Sequence, residues 1–214
     1  MAGSGLTTDS GRRKLNLSTM RPSLSVIDWR SGALLAHHIM PDSLHQLSLR
    51  HLAVSPGGNV WFAGQFEGEG NFPETLAGSM NVSASISSFR NGRSGAGLQL
   101  LTMSRWMIER SKGYLSSVAV GRQFVIFTSS RGGFAIVVDD YTGAIIEEIS
   151  MLDCSGVAAT DPNRESVGSY AEFEAREREF VITSGTGEIR FVPESPDRSA
   201  IWSPHQWDNH IYSI

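Results

Sequence analysis

Two histidines, His45 and His51, flank Arg50 in the stretch LHQLSLRHLAV, and Glu67 follows in GQFEG. Imidazole nitrogens with a carboxylate form a donor set that transition metals accept, so His45, His51 and Glu67 are candidate ligands for a metal ion. The plainer role of such histidines is hydrogen bonding between neighbouring loops. Arg131 carries a guanidinium fork that could hold an anionic ligand through paired hydrogen bonds. It could equally clamp adjacent parts of the fold as a salt bridge. Gln65 and Glu67 could contact a ligand or tie their loop to backbone groups. With Arg12, Lys14 and Arg50 they complete the candidate ligand-binding set Arg12, Lys14, Arg50, His51, Gln65, Glu67 and Arg131.

Other reactive residue types read as structural. His37 and His38 are adjacent on an extended segment, so they point to opposite sides and read as surface residues. Trp207, Asp208, Asn209 and His210 read as the end of a last outer strand. Cys154 precedes a run of small residues and reads as a buried, inert thiol. The chain contains no G-x-S-x-G elbow, phosphate-binding loop, H-E-x-x-H or C-x-x-C. GRSGAG at Gly92 lacks a following helix that could bind phosphate. Lysines and arginines do not line an aromatic stripe, and the formal charge is -4, which argues against nucleic acid.

The elements that would position these groups repeat along the chain. SLSVIDWRSGALLAHHIM (Ser23 to Met40) and GFAIVVDDYTGAIIEEISM (Gly133 to Met151) are both strand, turn, strand. In each turn an aspartate, Asp28 or Asp139, caps through its own side chain, and Gly32 or Gly143 takes the positive φ that closes the loop. SISSFRNGRSGAGLQLLTM (Ser85 to Met103) reads as a degenerate third copy. A second phrase pairs a small-residue strand with a bulkier one: Leu52–Val54 with Val60–Phe62, Val118–Val120 with Phe124–Phe127, and Val157–Ala159 with Phe180–Ile182. Pair plus hairpin is a four-stranded antiparallel unit of roughly fifty residues, the size of a propeller blade. The small-residue strand suits the crowded axis. The expected fold is therefore an all-β propeller arc of about 3.5 blades. Its parts are a loop over 1–20, an outer half-blade over 21–42, and blades over 43–103, 104–152 and 153–214. Helical periodicity is weak except in Ser169 to Phe180. The half-blade has no inner strands before it, which predicts a bare strand edge and self-association or a protein partner.

GRRKLNLSTMRPSL, LHQLSLRHLAVSPGG, GQFEG, GYLSSVAV, TSSRGG, CSGVA, TSGTGEI and WDNH together resemble the DUF1513 family. That resemblance covers nearly the whole chain. It implies an exported, hence periplasmic, bacterial seven-bladed propeller of unassigned role, linked by its gene neighbours to metal acquisition. Family members are longer, with an export signal and further blades that are absent here, so the chain matches their C-terminal half. As written it would stay in the cytoplasm. With the four strands of a blade lettered a to d from the axis outward, the d–a and b–c loops of a propeller share one face. The matching phrases that carry Arg12 to Leu17, Leu44 to His51, Gln65 to Gly68 and Ser130 to Gly133 all fall there, around the channel mouth. His51 also departs from the Ser117 and Gly156 of the other blades, and such departures are where function is grafted.

The resulting expectation is a non-catalytic propeller that binds a ligand or partner protein on this face. The alternatives are a metal-dependent hydrolase or oxidoreductase with its site at the channel mouth, and a truncated piece without independent function. The cofactor is unknown apart from a possible metal ion, and no stretch is long enough to span a membrane. With 40% hydrophobic and 19% charged residues over 214 positions, the chain can bury a sizeable core.

Overall fold

A computed structural model describes residues 1–92, 97–160, 180–195 and 198–208. The described residues form four antiparallel sheets in sequence order. The first holds β1 (Ala2–Gly3), β2 (Ser23–Ile27) and β3 (Leu34–Ile39). The second holds β4 (Leu47–Val54), β5 (Asn59–Phe66), β6 (Ala77–Asn81) and β7 (Leu98–Leu100). The third holds β8 (Ser117–Val120), β9 (Phe124–Ser129), β10 (Phe134–Asp139) and β11 (Ile145–Ser150). The fourth holds β12 (Cys154–Ala159), β13 (Phe180–Ser184), β14 (Glu188–Ser195) and β15 (Arg198–Trp202). Strands β1, β4, β8 and β12 pack successively against one another at the inner edge. This is a propeller arc whose ring does not close.

Side-chain alternation explains why the sheets stack. On β10, Phe134, Ile136 and Val138 enter the core shared with the first and second sheets, while Ala135 and Val137 enter the core shared with the fourth. On β9, Val125 and Phe127 face one way and Phe124 and Ile126 the other. A strand sandwiched between two sheets needs apolar residues at both parities, and FVIFTS and FAIVV supply them. Strand β12 is buried along its whole length, and its CSGVAA has only small side chains and one valine, as the crowded axis requires.

The two hairpins match atom for atom. Asp28 Oδ1 accepts from the backbone N–H of Arg30 and Ser31 and from the Ser31 hydroxyl, at 3.0, 2.7 and 2.8 Å. Asp139 Oδ1 accepts from Tyr141, Thr142 and the Thr142 hydroxyl at 3.1, 2.7 and 2.8 Å. Gly32 and Gly143 sit at φ 71° and 70°, a left-handed conformation that favours glycine. Even the bulges agree, with Leu35 and Ile146 each the extra residue of its outer strand.

Three readings are corrected. The stretch from Ser85 is no hairpin copy, because Val82–Arg90 is a helix, α1, in the connection between β6 and β7. Asn81 caps it, its side chain accepting from Ala84 N–H at 3.1 Å, and Val82, Ile86 and Phe89 follow helical spacing. A second helix, α2 (Arg105–Arg110), is capped by Ser104 between β7 and β8. The half-blade edge is also not bare: β1 pairs with β2 at Leu24 and Ser23, and the Met1 ammonium donates to Ser25 O at 2.9 Å while Ser25 N–H donates to Met1 O at 2.9 Å. The helical reading of Ser169 to Glu179 lies outside the described residues. The last outer strand is Arg198–Trp202, and Trp207 lies beyond it, with its N–H donating to Ser184 O at 3.4 Å. Asn209 and His210 fall outside the described residues. No described helix is long and apolar enough to cross a membrane.

Asp140 joins the second and third sheets on the side away from the candidate residues. Its carboxylate accepts from Trp61 Nε1 at 2.5 Å and Asn59 Nδ2 at 3.2 Å. Replacing it with alanine leaves the donor of a buried tryptophan unpaired, so Asp140→Ala is expected to lose about 1–3 kcal/mol of stability in urea unfolding. Asp140→Asn, which keeps an acceptor oxygen, is expected to lose clearly less.

Candidate functional site

The deepest charged group on the loop face is Glu67. It follows β5 directly, and its side chain is only 2% exposed. Its N–H donates to Gln46 O at 2.9 Å, and the Gln46 side-chain amide in turn donates to Leu17 O at 3.3 Å. This ties three connections together. A Cβ at position 68 would meet the ends of the Gln46 and Phe66 side chains, so a larger residue there displaces the amide that reaches Leu17.

Two cations hold the Glu67 carboxylate. Lys14 Nζ donates to Oε2 at 2.8 Å and to the Glu67 carbonyl at 2.7 Å, and Arg50 Nη2 donates to Oε1. Lys14 and Arg50 remain 37% and 40% exposed, so they bridge the buried carboxylate and solvent. Burial pushes the Glu67 carboxyl up, but the hydrogen bonds from Lys14 and Arg50 and then their charges outweigh it and hold it below the ordinary value.

Backbone irregularities aim these side chains. Leu49 pairs with Gly64 and His51 with Ala63, so Arg50 is the extra residue of a bulge in β4. A bulge redirects its side chain out of the ladder. Lys14 comes from a small hairpin in which Thr8 and Lys14 pair and Asp9 Oδ1 accepts from the N–H of Gly11 and Arg13 at 3.1 and 2.8 Å. Arg12, at its tip, has φ 60°, an uncommon left-handed conformation for a residue other than glycine. Together these segments line a cavity of about 480 Å³, whose charged walls are Arg12, Lys14, Arg50 and Glu67, with Ser4, Thr8 and Ser48 as neutral polar neighbours.

Four of the sequence candidates, Arg12, Lys14, Arg50 and Glu67, therefore meet in one cavity. The others lie apart from it. His51 pairs opposite Ala63 on β4, where Ser117 pairs with Thr128 and Gly156 with Thr183, so the three positions are equivalent. Gln65 pairs opposite Ser48 and bridges to Tyr114. Arg131 lies over the Tyr114 ring at 4.7 Å. His45 Nδ1 is 2.8 Å from Asp42 O, at a separate hollow near Arg21 and Ile39. Among the described residues no three histidine, cysteine, aspartate or glutamate side chains gather as a metal site, and His45, His51 and Glu67 do not converge.

Thr8 and Ser48 were not singled out from the sequence. Ser48 is fully buried, and its hydroxyl has no hydrogen-bond partner among the described residues. The available signal was a lone hydroxyl between Leu47 and Leu49 in an otherwise apolar strand start. Cys154 is buried, and burial pushes its thiol up, as expected of an inert thiol. His38 is not a surface residue: it is 4% exposed, and neither ring nitrogen has a partner among the described residues.

The family model for a protein of unknown function, DUF1513, matches residues 1–214. The chain belongs to the DUF1513 family. No curated protein matches this DUF1513 chain. Among solved structures it is similar to virginiamycin B lyase from Staphylococcus aureus, at 12% identity and a TM-score of 0.49 over 92% of this chain and 53% of that one. It is also similar to Kuenenia stuttgartiensis hydrazine synthase, at 10% identity and a TM-score of 0.48 over 84% of this chain and 40% of that one. A nidogen/laminin complex matches at 13% identity and a TM-score of 0.42, over 80% of this chain and 54% of that one. The DUF1513 chain thus spans about half the length of these structures or less.

Two pH effects follow from the buried groups. Glu67 titrates below its ordinary value in the folded chain, so its contribution is present above that value and fades as pH falls through the folded one. Glu67→Gln is expected to lose about 1–3 kcal/mol at neutral pH and to flatten the acid limb of a Tm-versus-pH curve. His38 is pushed below its ordinary value by burial and then by the charge of His37. Its neutral form favours folding, so stability is full above about pH 6.5 and declines as pH falls below it. Substituting His38→Phe is expected to remove that decline in the same melts.

Proposed function

We propose that the chain is a non-catalytic propeller module that binds a ligand on its d–a/b–c loop face, in the cavity built around Glu67. One observation carries this reading: a buried carboxylate fixes two half-exposed cations at the wall of a 480 Å³ cavity. The cavity joins the connection after β1, the start of β4 and the connection after β5, and loops at one end of a rigid scaffold are where binding sites concentrate. A binding role also suits the state of Glu67. Both carboxylate oxygens accept hydrogen bonds from cations, and its lowered pKa keeps it ionised, which unfits it for proton transfer near neutral pH. The exported, metal-acquisition setting belongs to this proposal on the strength of the family resemblance alone.

The test is a thermal-shift screen of the purified chain against small anions, cations, amino acids and neutral sugars, run beside Thr8→Trp. Thr8 is an exposed wall residue, and an indole there fills the cavity. At least one compound is expected to raise the wild-type Tm by several degrees at about a hundredfold over its dissociation constant, and to leave Thr8→Trp unmoved. If every compound shifts both chains equally, or shifts neither, the cavity is not a binding site.

A further inference from the structure

We infer that the ligand of this cavity is a compact oxyanion with two negative charges, the chemistry shared by a phosphate monoester and a dicarboxylate. This rests on the binding role proposed for the cavity and specifies what it binds. Arg12, Lys14 and Arg50 against Glu67 leave the walls with an excess of two positive charges. Glu67 saturates little of that donor capacity. Lys14 spends two of its three N–H bonds on Glu67, and Arg50 spends one of the five on its guanidinium. Arg12 is exposed and its guanidinium has no ion pair among the described residues.

Ser48 supplies an independent observation. Ser48 is among the residues that line the cavity, and its buried hydroxyl has no partner among the described residues. A buried hydroxyl without a partner costs free energy in the empty protein, and an acceptor oxygen entering the cavity relieves that cost. The backbone at Arg12 agrees: a left-handed non-glycine residue is held by the Asp9 turn in a conformation that sets its side chain on the cavity wall. Guanidinium groups and an ammonium recognise carboxylate and phosphate oxygens by charge-assisted hydrogen bonds, and Ser48 adds a hydroxyl to the same lining. Glu67 fixes Lys14 and Arg50 before the ligand arrives, so less side-chain freedom is lost on binding.

The experiment is isothermal titration of the full chain with inorganic phosphate and, separately, with succinate, at low and at near-physiological salt. The variants are Arg12→Gln and Ser48→Ala, with Arg30→Gln, in the Asp28 turn, as the control. At least one dianion is expected to bind one-to-one, more weakly at higher salt. Arg12→Gln is expected to weaken it about tenfold or more, and Ser48→Ala about fivefold, with Arg30→Gln unchanged. Ser48→Ala removes an unsatisfied group, so its Tm is expected to hold or rise, which separates lost binding from lost folding. Binding of phosphate alone assigns a phosphoryl ligand, and binding of succinate alone a dicarboxylate. The inference is overturned if neither dianion binds, or if both variants bind as the wild type does. In that case a neutral or cationic compound still blocked by Thr8→Trp leaves the binding role standing with a different ligand, and no Thr8→Trp-sensitive compound at all removes the binding role as well.

Discussion

The alternation of side chains along β9 and β10 is the constraint on which the rest of the arc depends. Each parity feeds a different core, so the third sheet is the shared wall of two hydrophobic layers. Shifting either strand by one residue would exchange the two sets and ruin both layers together. The polar clamps reinforce a stack that this packing has already set. Asp140 reaches back to Trp61 and Asn59, and Arg190 reaches from the fourth sheet to Ser150 O at 3.0 Å. The Arg110 guanidinium lies over Phe134 at 5.0 Å while its Nη1 donates to Glu148 at 2.5 Å. Each closes a seam between elements that apolar burial has brought together.

The loop face is organised around charge. A carboxylate as deep as Glu67 is tolerated because both oxygens are paired with cations and its backbone N–H is satisfied by Gln46. The same pairing pins the hairpin that carries Lys14 to the end of β5, so the cavity wall is also a structural joint. Stability and binding capacity at this face therefore rest on the same atoms.

Much of the fold was legible because it is written in short-range chemistry. The Asp28 and Asp139 turns announce themselves through an aspartate, a hydroxyl residue and a glycine at fixed spacing, and the hydrogen bonds follow that spacing. Helix α1 was not legible as a helix, because Ser83, Ser85 and Ser87 alternate with Val82, Ala84 and Ile86 as the residues of a strand would. What decides is Asn81 acting as a cap, together with packing of the helix against β3. In the site, the charged members Arg12, Lys14, Arg50 and Glu67 stood out by type. Ser48 did not, since a lone serine carries no signal until the strand around it is known to be buried. His38 was misplaced for a related reason: α1 packs against the strand that carries it, and α1 was not foreseen.

The bulge in β4 has a counterpart in β12, where Cys154 pairs with Ser184 and Gly156 with Thr183, leaving Ser155 as the extra residue. In β12 that residue is inward and structural: its carbonyl accepts from Thr128 Oγ1 at 2.7 Å and its hydroxyl donates to Asp153 O at 3.0 Å. In β4 the same slot holds Arg50, turned to Glu67 and the cavity. A position outside the ladder can change its occupant without moving any neighbour's register. A repeating scaffold that keeps such a slot in two of its sheets owns a pair of interchangeable sockets, each able to acquire a new side chain, and with it a new chemistry, while the frame around it stays the same.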